Sequence, residues 1–275
     1  MEHVSVVCLW VAFLLYAGAF AVFLYHLFGR RPRMNSAGVA LTAAAFAFLT
    51  VAVLTRGLDA GRIPVVGAYE SLALVAWSVT AVYLGLEVFT RVKALGLYVT
   101  PVVLLLLGAA WVEYQPPAGL MPELQSDIVV LHVIVMLVAI GSLYVAGGAG
   151  IIFLVEDGLL KRRRPGGVLR RLPALATLDR LVYHATLLGV PFLTMGMVAG
   201  IIRAEAFDVA RWWFDPMVLL ALAAWAVYVV LLWGRMRAGW AGGRLAWLAV
   251  AGLVLMLLIR FAAVPYLSGF HTFGG

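Results

Sequence analysis

The sequence predicts an all-α polytopic membrane protein with about eight transmembrane helices, and three features predict it. Of its 275 residues, 65% are hydrophobic and only 12% are charged, which gives a mean hydropathy of +1.05. The apolar residues are collected in runs of about 20, the length that crosses about 30 Å of hydrocarbon. Basic residues are concentrated in alternate links between these runs. Because a backbone in lipid must satisfy its own hydrogen bonds, such runs span the membrane as helices.

The apolar runs place each predicted helix. The first run is longer than the core of a signal peptide and lacks a small-residue cleavage site, so we expect it to remain as a helix. We treat the whole chain, residues 1–275, as a single integral membrane domain. The eight predicted helices occupy residues 4–29, 37–55, 70–89, 94–112, 128–155, 181–202, 215–233 and 245–266.

The basic residues predict the orientation of the chain. Fifteen of the 20 Lys and Arg residues lie in the odd-numbered links, whereas Arg56, Arg62, Arg203 and Arg211 lie in the even-numbered links. Because basic residues collect in cytoplasmic loops, we expect the odd links in the cytoplasm and both termini on the outer side. The expected location is the cell membrane, inner or plasma, as a multi-pass protein.

Charge and cysteine content exclude several classes of protein. The formal charge of +7 is explained by the cytoplasmic links, and no basic face interleaved with aromatic residues lies outside them. A nucleic-acid partner is therefore not expected. Cys8 is the single cysteine, so the chain has no disulfide, no CxxC pair and no CxxCH haem-attachment motif. It is neither a c-type cytochrome nor a thiol carrier.

A polar and aromatic segment, Arg203–Pro216, interrupts the apolar sequence between helices 6 and 7, and we call it the aromatic segment. It carries Trp212, Trp213 and Phe214, which are also typical of the aromatic belt at membrane surfaces. Asp215 is suited to cap helix 7, and the proline after it is suited to the first helical turn. The topology places this segment on the outer side.

Two histidines are predicted to lie on the same side as the aromatic segment. His132 lies about one turn inside the outer end of helix 5, and His271 lies in the C-terminal tail. A histidine in a membrane span is usually functional, although His132 alone suits a hydrogen bond between helices equally well. Beside the two tryptophans, the pair indicates axial ligands for the iron of a haem, since neutral imidazole suits iron.

Charged residues near these histidines have two interpretations each. Arg203 and Arg211 are candidates for binding haem propionates as bidentate partners. Pairing with Glu205 or Asp208 in the same link is an equal alternative. Glu70 opens helix 3, where a carboxylate complements the helix dipole.

Several segments carry a resemblance to one family. Gly61–Leu72 resembles a "P…ESL" segment, and Leu131–Met136 resembles a segment with an outer histidine. Leu178–Tyr183 with Gly189–Gly200 resembles a "GFPLLTxGxxxG" helix, and Leu267–Phe273 resembles a terminal "LSGLHSY". These are segments of the cytochrome c assembly family of haem-handling membrane proteins, the CcsA/ResC group together with the HemX-like proteins.

The resemblance implies roles for the candidate residues. It places His132 and His271 on the two outer-face haem ligands of the family. It places residues 208–215 on the tryptophan-rich "WGxxWxWD" haem-binding signature, in which Trp212 and Asp215 match.

The chain also departs from the family pattern. Phe214 replaces a tryptophan of the signature, and Asp208-Val209 replaces its leading Trp-Gly. Trp233 stands where synthase members have a histidine in helix 7.

The function implied by the resemblance is haem handling in cytochrome c biogenesis. We expect a non-covalent, b-type haem at the outer face, delivered or attached to apocytochrome c with a second assembly membrane protein. The chain would then be the haem-presenting subunit of a cytochrome c synthase. The alternative is a HemX-like regulator of haem synthesis without synthase activity, with a cytoplasmic partner at Lys161–Arg171. A b-type electron carrier is a third hypothesis, supported by His26 and His184 as ligands of a second haem.

Overall fold

The fold was analysed in a computed structural model of the chain. It describes residues 1–28, 33–116, 126–162, 173–206 and 211–267. The described residues form helices joined by short turns, with no strand among them. The predicted all-α class is therefore confirmed.

Eight helices are long and apolar enough to cross a membrane, as predicted. The first, of 27 residues, is about 40 Å long at 1.5 Å per residue, which exceeds the hydrocarbon thickness. The orientation of the termini stays a prediction. The helices are α1 (Glu2–Phe28), α2 (Arg33–Ala60), α3 (Gly67–Thr90), α4 (Gly96–Val112), α5 (Asp127–Lys161), α6 (Leu175–Ala206), α7 (Pro216–Arg237) and α8 (Gly243–Leu258).

Several helices extend beyond the predicted apolar runs, because polar residues continue the backbone hydrogen bonding past the apolar core. Arg56 and Arg203 lie inside α2 and α6, so their assignment to links was wrong. The start of α6 at Leu175, instead of residue 181, places His184 about two and a half turns inside the helix, not one. After α8, a π-helical segment, Ile259–Leu267, continues the chain.

The chain divides into two compact units, one containing α1–α4 and the other α5–α8. In the first unit α1 packs along α2 and against α4, and α3 packs against α4 and α2. The Phe23 ring of α1 lies where a Cβ on Gly38 or Gly96 would be, so these glycines admit the ring. Tyr16 and Tyr83 are fully buried in the same unit.

In the second unit α5 packs along α6 and against α8, and α7 packs against α8 and α6. Gly147 and Gly150 of α5 leave room for Leu253 and for the Ala246 carbonyl of α8. Small residues at such crossings allow helix backbones to approach closely where lipid provides no hydrophobic driving force. The assignment of residues 1–275 to a single haem-handling domain stays a prediction.

Candidate functional site

His132 is held by a backbone group of the neighbouring helix. It lies in the second turn of α5, partly buried, with its Nδ1 atom 2.7 Å from the carbonyl oxygen of Gly196 in α6. A carbonyl oxygen only accepts hydrogen bonds, so Nδ1 carries the proton and donates it. The lone pair of the ring is then on Nε2, the arrangement of a histidine that binds a metal ion.

Two glycines of α6 make room for side chains of α5, and one of them, Gly200, makes room for the His132 ring. A Cβ added to Gly200 would lie 3.2 Å from Cε1 and 3.4 Å from Nδ1 of that ring. A Cβ on Gly196 would overlap the side chain of Met136, one turn after His132. Since Gly196 and Gly200 are four residues apart, they lie on one face of α6. That face of α6 fits an imidazole.

Arg203 continues the same face of α6. It follows Gly196 by seven residues and Gly200 by three, so the three positions form one stripe. The residue is partly buried in the last turn of α6. The structure therefore places Arg203 on the His132 side of this helix, about one turn beyond Gly200. Its role as a propionate ligand stays a prediction.

Trp212 is anchored on the opposite side of α6. Its Nε1 atom donates to the Glu205 carboxylate over 2.7 Å. Glu205 follows Gly196 by nine residues, which is two and a half helical turns, so it projects from the face opposite His132. Glu205 is also one of the two acids named as alternative partners of Arg203 and Arg211, and that pairing stays a prediction. That Trp212 and His132 serve one ligand stays a prediction.

Trp212 forms a 3₁₀ turn together with the exposed residues Trp213 and Phe214. The rings of Trp212 and Trp213 meet edge to face with their centroids 5.6 Å apart. Trp213 is 50% exposed and Phe214 is 69% exposed, so both present aromatic surface outward. Arg211 begins this turn in the left-handed conformation, with φ of 57°, and is exposed. Residues 207–210, including Asp208, lie outside the described part of the chain.

Asp215 caps α7. Its Oδ1 atom accepts a hydrogen bond from the backbone N–H of Met217 over 2.8 Å, and Pro216 occupies the first helical position. The predicted capping role is confirmed, because this carboxylate satisfies a donor that the helix leaves unpaired. A contact between Asp215 and a ligand stays a prediction.

The other histidines are placed in part. His271 and the rest of the tail after Leu267 lie outside the described residues, so the His132/His271 pair stays a prediction. His26 lies in the last turn of α1. His184 lies beside the ring of Tyr183, with 5.3 Å between ring centroids. A second haem at His26 or His184 also stays a prediction.

A buried ion cluster in the first unit was not anticipated from the sequence. Glu70, in the first turn of α3, accepts from Arg56 Nε over 2.9 Å and from Arg62 Nη1 over 2.7 Å. Its second oxygen also accepts from the backbone N–H of Val66 over 2.9 Å. The three charged side chains are each 5% exposed or less. Glu70 therefore adds two ion pairs to the expected contact with the helix end.

Further contacts tie this cluster to α1 and α4. Arg56 donates from Nη2 to the carbonyl oxygen of Gln115 over 2.6 Å, and its guanidinium lies over the ring of Tyr69, 5.1 Å from the centroid. The Tyr114 hydroxyl donates to Glu2. Burial and the hydrogen bond to Glu2 raise the pKa of the Tyr114 hydroxyl. Four helix ends are therefore held at one end of the first unit.

The sequence contained one signal for this cluster. Arg56 adjoins an apolar run, and Glu70 begins the next, which predicts charges at two neighbouring helix ends. The pattern does not show that α2 continues past Arg56 to Ala60, or that the Arg56 side chain is buried. A charge in that position requires a partner, because an unpaired buried charge is very costly.

A separate ion pair joins two helices of the second unit at the end predicted to face the cytoplasm. Arg235 of α7 pairs with Asp179 of α6, with 3.0 Å between Nη2 and Oδ2, and donates to the carbonyl oxygen of Trp240. Asp179 also accepts from the backbone N–H of Gly242 over 2.6 Å. In the predicted cytoplasmic partner region 161–171, Lys161 pairs with Asp157, and residues 163–172 lie outside the described ranges.

The helices and their apolar surfaces define a multi-pass, all-α membrane protein. The sequence profile of the family described as "Cytochrome C assembly protein" matches residues 65–271. That range covers α3–α8 and contains His132 and the aromatic segment. The chain therefore belongs to the cytochrome c assembly protein family.

Curated relatives match over almost the whole chain. The "Cytochrome c biogenesis protein CcsA" of Trieres chinensis is 31% identical, over 80% of this chain and 80% of that protein. The protein of the same name from Microcystis aeruginosa is 29% identical, over 88% of each chain. The one from Picosynechococcus sp. is 27% identical, over 100% of this chain and 96% of that protein. The chain thus resembles these proteins along its length and not in one motif.

Proposed function

We propose that the protein binds a non-covalent, b-type haem during cytochrome c assembly, with His132 as an axial ligand. The observation that carries the proposal is the contact of His132 Nδ1 with the Gly196 carbonyl oxygen. That contact fixes the ring orientation and leaves the lone pair on Nε2. His271, from the tail, is the proposed second ligand.

The surroundings of His132 support haem better than a bare metal ion. Within the described residues, no group of three or more His, Cys, Asp or Glu is arranged to hold a metal ion. A single imidazole is sufficient for a metal whose other ligands come with it, and the porphyrin supplies four nitrogens. The His132 site therefore fits the iron of a haem.

The residues around His132 suit the rest of the haem. Arg203 shares the His132 face of α6, and a guanidinium there is suited to a propionate. Trp213 and Phe214 present aromatic surface against which a flat macrocycle packs favourably. Arg211, Trp212 and Asp215 support this aromatic surface from the turn and its cap.

The chain contributes position and exclusion of water. Haem supplies the vinyl groups to which the thiols of an apocytochrome CxxCH motif become joined. The work of this chain is to hold the haem in one orientation at the outer face of the plasma membrane. Cys8 is its single cysteine, so the thiols come from the apocytochrome and their reduction from a second membrane protein. The name shared by the curated relatives supports this role over that of a HemX-like regulator.

The test is a titration of the detergent-purified protein with haemin, followed by absorption spectra of the oxidised and reduced states. The unchanged chain is expected to give a low-spin, six-coordinate spectrum, and His132→Ala and His271→Ala are each expected to lose it. His3→Ala, a change at an exposed histidine of α1, is the matched control. Equal haem content in all four proteins would contradict the proposal. In cells that depend on this chain, the two ligand variants should also lower the content of c-type cytochromes.

A further inference from the structure

The two units repeat the same order of helix packing. In each unit the first helix packs along the second and against the fourth, and the third packs against the fourth and the second. Each unit contains four helices that are long and apolar enough to cross a membrane. A shared packing order alone is a weak criterion, because four antiparallel helices have few ways to pack.

Side-chain hydrogen bonds make the correspondence specific. Trp77 of α3 donates from Nε1 to the Thr50 hydroxyl of α2 over 2.9 Å. Trp225 of α7 donates in the same way to the Thr194 hydroxyl of α6, also over 2.9 Å. A tryptophan–threonine pair thus joins the third helix to the second in both units.

A hydroxyl contact joins the first and third helices in both units. Tyr16 of α1 donates to Thr80 of α3 over 3.0 Å. In the second unit, the Tyr228 hydroxyl of α7 lies 3.5 Å from the carbonyl oxygen of Leu143 in α5 and 3.4 Å from that of Ala249 in α8. Thr80 follows Trp77 by three residues, and Tyr228 follows Trp225 by three. The two contacts therefore fall at the same register on the third helix.

The same register aligns His132 with Ser5. Ser5 precedes Tyr16 by eleven residues, as His132 precedes Leu143. The Ser5 hydroxyl donates to the carbonyl oxygen of Ala52 over 2.9 Å, as His132 does to that of Gly196. On the second helix, Ala52 and Gly196 each follow the threonine of the tryptophan pair by two residues. Both ends of the His132 contact therefore have a counterpart in the first unit.

The counterpart of Gly200 is Arg56. Arg56 follows Ala52 by four residues, as Gly200 follows Gly196. In the second unit the large His132 ring on α5 faces Gly200 on α6. In the first unit the small Ser5 hydroxyl on α1 occurs with the large Arg56 guanidinium on α2. Ser5 and Arg56 line one small pocket, together with Tyr69 and Glu70. The second unit therefore has room for the His132 imidazole, whereas Arg56 fills the corresponding space in the first unit.

We infer that the chain contains two copies of one four-helix module and that Arg56 closes, in the first copy, the position at which His132 binds its ligand in the second. Glu70 holds Arg56 in place through the ion pair described above. The first copy is thus a closed scaffold, and the ligand-binding capacity lies in the second copy. The identity of the ligand as haem rests on the proposed function, whereas the closure by Arg56 does not.

Thiol labelling of the full chain tests the closure. In a Cys8→Ala background, Ser5→Cys and His132→Cys each give one cysteine, and its rate of reaction with a small maleimide is measured. Ser5 is 3% exposed and His132 is only partly buried. We expect Cys at position 5 to react at least about tenfold more slowly, the factor for a local opening cost of about 1.4 kcal/mol. Adding Arg56→Gly is expected to remove that difference.

Arg62→Gly is the matched control. Arg62 belongs to the same ion cluster but does not line the pocket that Ser5 and Arg56 share. With Arg62→Gly the reaction at position 5 should stay slow. Equal acceleration by both glycine variants would mean loosening of the whole helix end, and it would overturn the inference. Fast labelling at position 5 with Arg56 present would overturn it as well.

Haem stoichiometry provides a second, separate readout. Ser5→His with Arg56→Gly is expected to bind one more haem per chain than the unchanged protein, and to keep one when His132→Ala is added. If the unchanged protein binds no haem, the proposed function fails, and the labelling rates still decide whether Arg56 closes the first copy. If the unchanged protein binds haem and the double variant gains none despite fast labelling at position 5, the equivalence of the two positions is refuted.

Discussion

His132 on α5 and Gly196 on α6 are joined by a contact of 2.7 Å between Nδ1 and the backbone carbonyl oxygen. A backbone acceptor sets the tautomer of the ring without adding a second ionisable group that would compete for the proton. The imidazole therefore has one fixed orientation and one nitrogen with a free lone pair. The predictions below concern this contact and the elements that hold it.

Bulk at Gly200 should displace the His132 ring. Gly200→Val adds a Cβ 3.2 Å from Cε1, and its methyl groups approach further, so the ring must rotate away from Gly196. We expect weaker haemin binding in a spectroscopic titration, by about 10- to 100-fold, as for changes that disturb the orientation of a ligand. Gly18→Val in α1, where an added Cβ meets no atom within 4 Å, is the control. Equal affinities for the two valine variants would contradict the assignment of Gly200 as a clearance for His132.

Removal of Glu70 should destabilise the first unit strongly. Glu70→Ala leaves Arg56 and Arg62 buried without their carboxylate, and breaking such a pair costs about 3–5 kcal/mol. Thermal unfolding in detergent measures the loss. Glu113→Ala, a change at an exposed acid near the end of α4, should have little effect. Replacing Arg56, Arg62 and Glu70 together with methionine should recover most of the stability, because no buried charge then remains. A triple variant as unstable as Glu70→Ala would argue against the electrostatic explanation.

The two tryptophan–threonine pairs should contribute alike. Thr194→Val leaves the Trp225 indole N–H without its acceptor, which costs about 1–3 kcal/mol when the group is buried. Thr50→Val should have a comparable effect through Trp77. A double-mutant cycle with Trp225→Phe tests this, because the stability losses of the two single variants should not be additive when both partners are removed. Thr55→Val, whose hydroxyl donates only to carbonyls of its own helix among the described contacts, is the reference.

The carboxylate of Asp215 should matter first as a helix cap. Asp215→Ala is expected to lower the free energy of unfolding by about 0.5–2 kcal/mol, and Asp215→Ser should restore most of it, since serine also caps. Haemin affinity measured on the same three proteins separates the cap from a ligand contact. Binding that follows capping ability indicates a positional role, and binding lost in both variants indicates direct contact between the carboxylate and the ligand.

The membrane class and the number of helices could be predicted because both depend on local composition. An apolar run of about 20 residues has few alternatives in lipid, so hydropathy predicted all eight helices. The Asp215 cap could also be predicted, since it depends on two neighbouring residues. The ends of α2 and α6 could not be predicted, because the charges of Arg56 and Arg203 indicate link residues unless the packing of their helices is known.

The all-α membrane class and the family follow from composition, from the order of apolar and basic segments and from short motifs, and these features also make His132 a candidate ligand. The helix packing was needed to see that His132 meets Gly196, that Trp212 bonds to Glu205 on the other face of α6, and that Arg56 and Arg62 share Glu70. These contacts depend on helix rotation and packing distance, which bring together residues far apart in the chain. No local pattern encodes that rotation, so a charged residue at a helix end is assigned to a link until its buried partner is seen.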